Sequence, residues 1–179
     1  MEDQEGSVGI EELLRATKKS EIPESEFWEE LNQEAIRSFE RGLDWNRELL
    51  HKSVDMIKIV LLFGSVYVGL FQFGNTQFGF FETGREVLVP LLPLLLSLFF
   101  FAYSYKISQP EHIGPSSRNA YDAIRGEIST SDYQKEMAIA YLAWGDDNAK
   151  RISKANNIFW YGISSLFASL GCLCILVIF

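Results

Sequence analysis

Cysteine and histidine are nearly absent from this chain. Cys172 and Cys174 are the only two cysteines in 179 residues, and both fall in the apolar run that closes the sequence. Two positions apart on a helix, their side chains point roughly 200° away from one another, so they cannot pair within the chain. Metal binding would need more ligands in a closed arrangement, and the two read as small apolar residues in a bilayer. Of the two histidines, His51 lies four residues before Asp55. That spacing suits a titrating switch, although an exposed histidine on a salt-bridged helical face is the simpler reading. His112 stands in a loop beside Glu111 with no assembled partners. No catalytic triad, phosphate loop, metal cluster or supported carboxylate pair is present. The sequence therefore assigns no catalytic, cofactor-binding or metal residues and no cofactor, and it does not read as an enzyme.

A signal peptide is also lacking, since Met1-Glu2-Asp3-Gln4-Glu5 opens the chain and no apolar segment precedes Ile59. The first apolar run would itself direct insertion. Basic residues are in the minority, 16 against 24 acidic ones, and residues 1–50 hold most of the acidity. The net charge of −8 argues against a nucleic-acid partner and against a polybasic clamp on anionic lipid.

The most informative absence is of charge itself, over three stretches. Ile59 to Phe81 is 23 residues without Asp, Glu, Lys, Arg or His. A helix rising about 1.5 Å per residue needs roughly 20 residues to cross the hydrocarbon core. Val87 to Tyr105 holds twelve Leu, Val or Phe residues, and Ile158 to Phe179 holds twelve Ile, Leu, Phe or Val. On the insertion scale each such residue contributes about −0.3 to −0.6 kcal/mol near mid-span. Pro90 and Pro93 lie in the first two turns of the second run, where Pro90 need not cost a helical hydrogen bond and Pro93 gives at most a kink. Three such helices are too many for the buried core of a soluble chain this short.

Arg41, Arg47, Lys52 and Lys58 precede the first span, and Lys106, Lys150, Arg151 and Lys154 lie between the second and third, whereas the intervening turn has only Arg85. The positive-inside rule then puts the N-terminus in the cytoplasm and the C-terminus outside, in a multi-pass protein of the cell membrane. Tyr103, Tyr105, Trp160 and Tyr161 fall at the inner headgroup level.

The expected architecture is an all-α membrane protein with three transmembrane helices, the first and third extended into a cytoplasmic helical stalk. Residues 1–24 form a polar flexible tail, 25–58 a charged cytoplasmic helix, 59–81 the first span, 82–86 an external turn and 87–105 the second span. Residues 106–157 form a cytoplasmic loop and helix, and 158–179 the third span. Ser25 can cap the first long helix ahead of Glu26, Glu29 and Glu30. Phe27, Leu31, Ala35, Phe39, Leu43, Leu50, Val54 and Ile57 form its apolar stripe. Glu34 with Arg37, Asp44 with Arg47, and Glu48 with Lys52 are spaced as ion pairs on the opposite side. No breaker precedes the membrane. After the second span, loop signals run through Ser108-Gln109-Pro110 and Gly114-Pro115, with a short helix over 118–125, and Ser131 with Gln134 forms a capping box.

Along the last helix Met137, Tyr141, Trp144, Asn148, Arg151, Ala155, Ile158, Gly162, Ser165, Ser169, Cys172 and Leu176 alternate steps of four and three, the spacing of a coiled-coil seam. Asn46 and Asn148 fall within the two apolar stripes, where a buried Asn can fix register or oligomer state at a cost in stability; simple exposure of both is the other reading. The small line Gly162, Ser165 and Ser169 needs a partner helix, either a second copy or the first span through Gly64 and Gly69.

A charged helix entering the first span, a short outer turn, a second span, a cytoplasmic segment with Asp132-Tyr133, Tyr141, Asn148 and Lys154, and a closing third span resemble the small three-span effector membrane proteins of nucleotide-activated Pycsar-type antiviral systems. The resemblance covers about 120 residues from Asn46 onward. It implies an effector that oligomerises and perturbs the membrane in antiviral defence. No binding residue is carried over, and no small-molecule ligand is identified. The other reading is a passive subunit or scaffold of a larger membrane complex. The partners expected are the lipid bilayer and either further copies of the chain or partner membrane helices.

Overall fold

The computed structural model describes residues 25–77, 88–110, 125 and 129–178. All described regular structure is helical: α1 is Ser25–Gln77, α2 is Leu88–Ile107 and α3 is Thr130–Ile178. Each contains a segment long and apolar enough to cross a membrane. The described residues are thus all-α, with three helices able to cross a membrane. As the sequence suggests, α1 continues unbroken from its charged half into its apolar half, and so does α3. The proposed tail, external turn and, apart from Arg125, the short helix over 118–125 lie outside the described residues.

The ends of the helices have local causes. At the start of α3, the Ser129 hydroxyl accepts a hydrogen bond from the Asp132 amide at 3.1 Å and donates to the Asp132 carboxylate at 2.6 Å. The Tyr133 amide donates to the Ser129 carbonyl at 2.9 Å. The cap is therefore Ser129, two residues before the expected Ser131, because Asp132 places a carboxylate three positions on, where the helix dipole favours it. Pro93 sits inside α2, which runs on past it to Ile107. There the Ser108 amide and hydroxyl both donate to the Ser104 carbonyl, at 2.9 and 2.7 Å, satisfying an acceptor of the last turn.

The chain divides into two compact units, Met1–Asp44 with Pro110–Lys150, and Trp45–Gln109 with Arg151–Phe179. In the first, Trp28, Ala35, Phe39, Met137 and Ala138 are buried. Phe39 packs on Tyr141 and Trp144 with ring centroids 5.4 and 6.2 Å away, and Tyr141 meets Trp144 edge-on at 5.6 Å. The buried stripe of α1 is rotated slightly from the expected one. Trp28 is inside and Phe27 is 40% exposed, the two rings meeting edge-to-face at 5.2 Å. Trp28 is the larger ring, so turning it inward removes more apolar area from water.

The second unit has a different interior. Val60, Leu94, Phe101 and Leu166 form its apolar cluster, and Ser53, Ser97, Ser104, Ser108 and Ser169 are equally buried. Its large aliphatic and aromatic side chains point outward: Leu62, Leu70, Leu92, Phe99 and Phe167 are each more than 60% exposed. So much outward apolar surface suits hydrocarbon and not water.

Candidate functional site

The most organised chemistry in the second unit is a ladder of serine hydroxyls between α2 and α3. Ser169 donates to the Pro90 carbonyl at 2.8 Å, Ser97 to the Gly162 carbonyl at 3.0 Å, and Ser104 to the Ala155 carbonyl at 2.9 Å. An extra rung joins Ser165 to the Pro93 carbonyl at 2.7 Å. Positions 90, 97 and 104 ascend as 169, 162 and 155 descend, so the helices are antiparallel with a seven-residue repeat on each. Short side chains let the backbones approach, and each rung satisfies a hydroxyl that hydrocarbon could not.

Gly162 makes this approach possible. A Cβ there would lie 2.7 Å from the Phe101 ring, which is fully buried. The small line Gly162, Ser165 and Ser169 is thus occupied by the second span of the same chain, not by Gly64 and Gly69 of the first. Sequence reasoning credited α3 with a small face but passed over its complement. The signal was available in the heptad of Pro90, Ser97 and Ser104.

Helix α1 joins through Ser53, whose hydroxyl lies 3.4 Å from that of Ser104, and through the cluster around Val60. Asn46 is 1% exposed, and neither atom of its carboxamide has a hydrogen-bond partner. Asn148 is buried to the same extent, so both seam asparagines are inside. Higher on α1, Val60, Gly64, Ser65 and Val68 line an apolar groove of about 440 Å³ with Leu91, Leu94, Leu95 and Leu98 of α2. The Ser65 hydroxyl donates to the Leu62 carbonyl at 2.7 Å, so it presents no unmet donor to that groove.

In the first unit, the Lys135 ammonium lies 5.2 Å from the Trp28 ring centroid. Burial raises the Tyr141 hydroxyl above the usual tyrosine range, with smaller contributions from Tyr133 and Glu40. Tyr141 is held as a neutral packing residue and not as a proton donor at ordinary pH.

Ion pairs keep to exposed faces. Lys52 meets Glu48 at 2.8 Å, the pair read from the sequence, and Lys58–Asp55 and Lys150–Asp146 join at 2.9 and 2.6 Å. His51 is exposed, and His112 lies outside the described residues. Among the described residues, no group of three His, Cys, Asp or Glu could hold a metal ion, and Cys172 and Cys174 are free thiols. Comparison with protein-family models, curated proteins and solved structures finds no match.

Proposed function

We propose that the protein is an integral membrane interaction or effector protein that acts by assembling in the bilayer, with its N-terminus in the cytoplasm and its C-terminus outside. The supporting observation is the second unit, whose interior sets hydrogen-bonded serines beside a small apolar cluster and whose surface is largely apolar. Phe101 and the serine rungs pack the α2–α3 interface, so conduction or bilayer perturbation would come from an assembly and not from a path through one chain. The layout shared with Pycsar-type effectors supports membrane perturbation in antiviral defence as the outcome. The charged halves of α1 and α3 would then form the cytoplasmic stalk.

Because Gly162 and its neighbours are covered within the chain, assembly would use another face. The groove beside Gly64 and Ser65 offers one, since it is apolar and free of unmet donors. Single cysteines at Ser65 or Val68, in a Cys172→Ala/Cys174→Ala background, should give crosslinked dimers in native membranes. A protein that stays uncrosslinked at both positions and sediments as a monomer at all concentrations would overturn the proposal. That result would favour the scaffold reading, for which the internal closure of the α2–α3 face already speaks. Orientation is tested separately: an enzyme tag active only outside should work after Phe179 and fail after Gln109.

A further inference from the structure

We infer that one end of the second unit carries a binding belt for the phosphate-bearing headgroups of anionic phospholipids, centred on Lys106 and Lys154. The inference rests on the membrane-spanning reading above.

A single hydroxyl fixes the level. Ser104 of α2 donates to the Ala155 carbonyl of α3 at 2.9 Å and stands 3.4 Å from the Ser53 hydroxyl of α1. All three helices therefore share a level at Ser53, Ser104 and Ala155. Lys52 precedes Ser53, Lys154 precedes Ala155, and Lys106 follows Ser104 by two residues, so each lysine lies within about 3 Å of that level along its helix axis. All three are exposed. Tyr103, Tyr105, Trp160 and Tyr161 are 38 to 61% exposed on the same helices, and amphipathic rings of this kind collect at the headgroup depth.

The charges around that level point to an anion. Glu48 is bonded to Lys52 and Asp55 to Lys58, so both nearby carboxylates are engaged. Neither Lys106 nor Lys154 has a carboxylate within ion-pair distance among the described residues. The whole-chain charge of −8, which argues against a lipid clamp, conceals a partition. Residues 1–44 and 110–150 carry twenty acidic and nine basic residues, whereas 45–109 and 151–179 carry four acidic and seven basic. The surplus of positive charge belongs to the unit that holds the apolar surface. A lysine near an anionic surface contributes about 1 kcal/mol, or about fivefold in affinity.

The test is native mass spectrometry of the full chain in detergent, titrated with phosphatidylglycerol or phosphatidylcholine. Wild type should prefer phosphatidylglycerol, and Lys106→Gln/Lys154→Gln should lose about 25-fold of that affinity while binding phosphatidylcholine as before. Lys106→Arg/Lys154→Arg should keep the preference, which separates loss of charge from loss of fold. Equal affinity of wild type for both lipids, or an unchanged preference in the glutamine variant, would overturn the belt. Displacement of phosphatidylglycerol by millimolar inorganic phosphate would also overturn it, by making the site one for free anions. The membrane reading fails by a different result, extraction of the protein from membranes by alkaline carbonate.

Discussion

In the first unit aromatic and apolar side chains, among them Trp28, Phe39 and Met137, are inside, while Glu29, Glu30, Arg37, Arg41 and Glu136 face out. In the second unit serines, Gly162 and Ala155 line the close helix contacts beside a small apolar cluster of Val60, Leu94, Phe101 and Leu166, while many of the remaining leucines and phenylalanines face out. The same two long helices, α1 and α3, supply both patterns. The difference is one of solvent. In water, burying a large apolar side chain yields about 1.5–3 kcal/mol, so size belongs inside. In hydrocarbon that gain vanishes, and close approach and satisfied polar groups decide what lies between helices. Substitutions that exchange the two rules should therefore fail in opposite ways.

The largest effect on the second unit is expected at Gly162. Leucine there would drive its first carbon to within 2.7 Å of the fully buried Phe101 ring, forcing α2 and α3 apart and breaking the rungs at Gly162 and Ser165. Overpacking a well-filled site typically costs about 1–3 kcal/mol, and loss of the flanking rungs adds to it. Gly162→Leu should abolish a monodisperse peak in detergent, and Phe101→Ala in the same chain should restore part of it. Full tolerance of leucine would mean that the α2–α3 contact does not hold the unit together.

The largest effect on the first unit is expected from Phe39→Ala, which removes the ring that joins Tyr141 and Trp144. Truncating a buried phenylalanine costs about 3–5 kcal/mol, but here it would melt the first unit while the spans stay folded. Proteolysis should cut within residues 25–44 or 129–150 of the variant and leave the apolar segments protected. Simultaneous loss of both units would erase the distinction between them.

The spans, their order and the continuity of both long helices were legible in the sequence, because twenty uncharged residues have few other uses and no Pro or Gly-rich break interrupts Ser25 to Gln77. Heptad spacing put Asn46 and Asn148 on the two stripes but left exposure open, and their burial emerges only from the packing. The partner of the small α3 face was not legible. Hydropathy makes α2 look uniform, since its outward leucines outweigh Pro90, Ser97 and Ser104, and only their seven-residue spacing reveals an inner face. The cap at Ser129 escaped because Asp132 can stand in for the glutamate or glutamine of the usual box. Averaging hid the lysine belt, as acidic residues elsewhere in the chain outnumber it.

A smaller effect belongs to Ser104→Ala. It removes the donor to the Ala155 carbonyl and the neighbour of Ser53, but leaves the close approach intact. Hydrogen bonds between membrane helices average about 0.6 kcal/mol, with a maximum of about 1.7. The melting temperature in detergent should fall by a few degrees, without loss of the peak that Gly162→Leu destroys. A fall as large as that of Gly162→Leu would show that the rungs, and not close packing, hold the spans.

The smallest effect is electrostatic, on the exposed charged faces. The hydrogen bond from Lys52, and then its charge, hold the Glu48 carboxyl below its usual range. A carboxyl depressed on folding adds stability that is present above its unfolded pKa and fades as pH falls through the folded value. Lys150 runs the other way: the hydrogen bond to Asp146 raises it above the usual lysine range, so its contribution is present below the unfolded value and fades as pH rises through the folded one. Both pairs are solvent-exposed and screened, so the shifts in melting temperature should be small and should shrink further in salt. The sign is the test. The gap between wild type and Glu48→Gln should close on acidification, and that between wild type and Asp146→Asn on strong alkalinisation. A Glu48→Gln gap that widened in acid would show that Glu48 is stabilised by something other than its carboxylate charge.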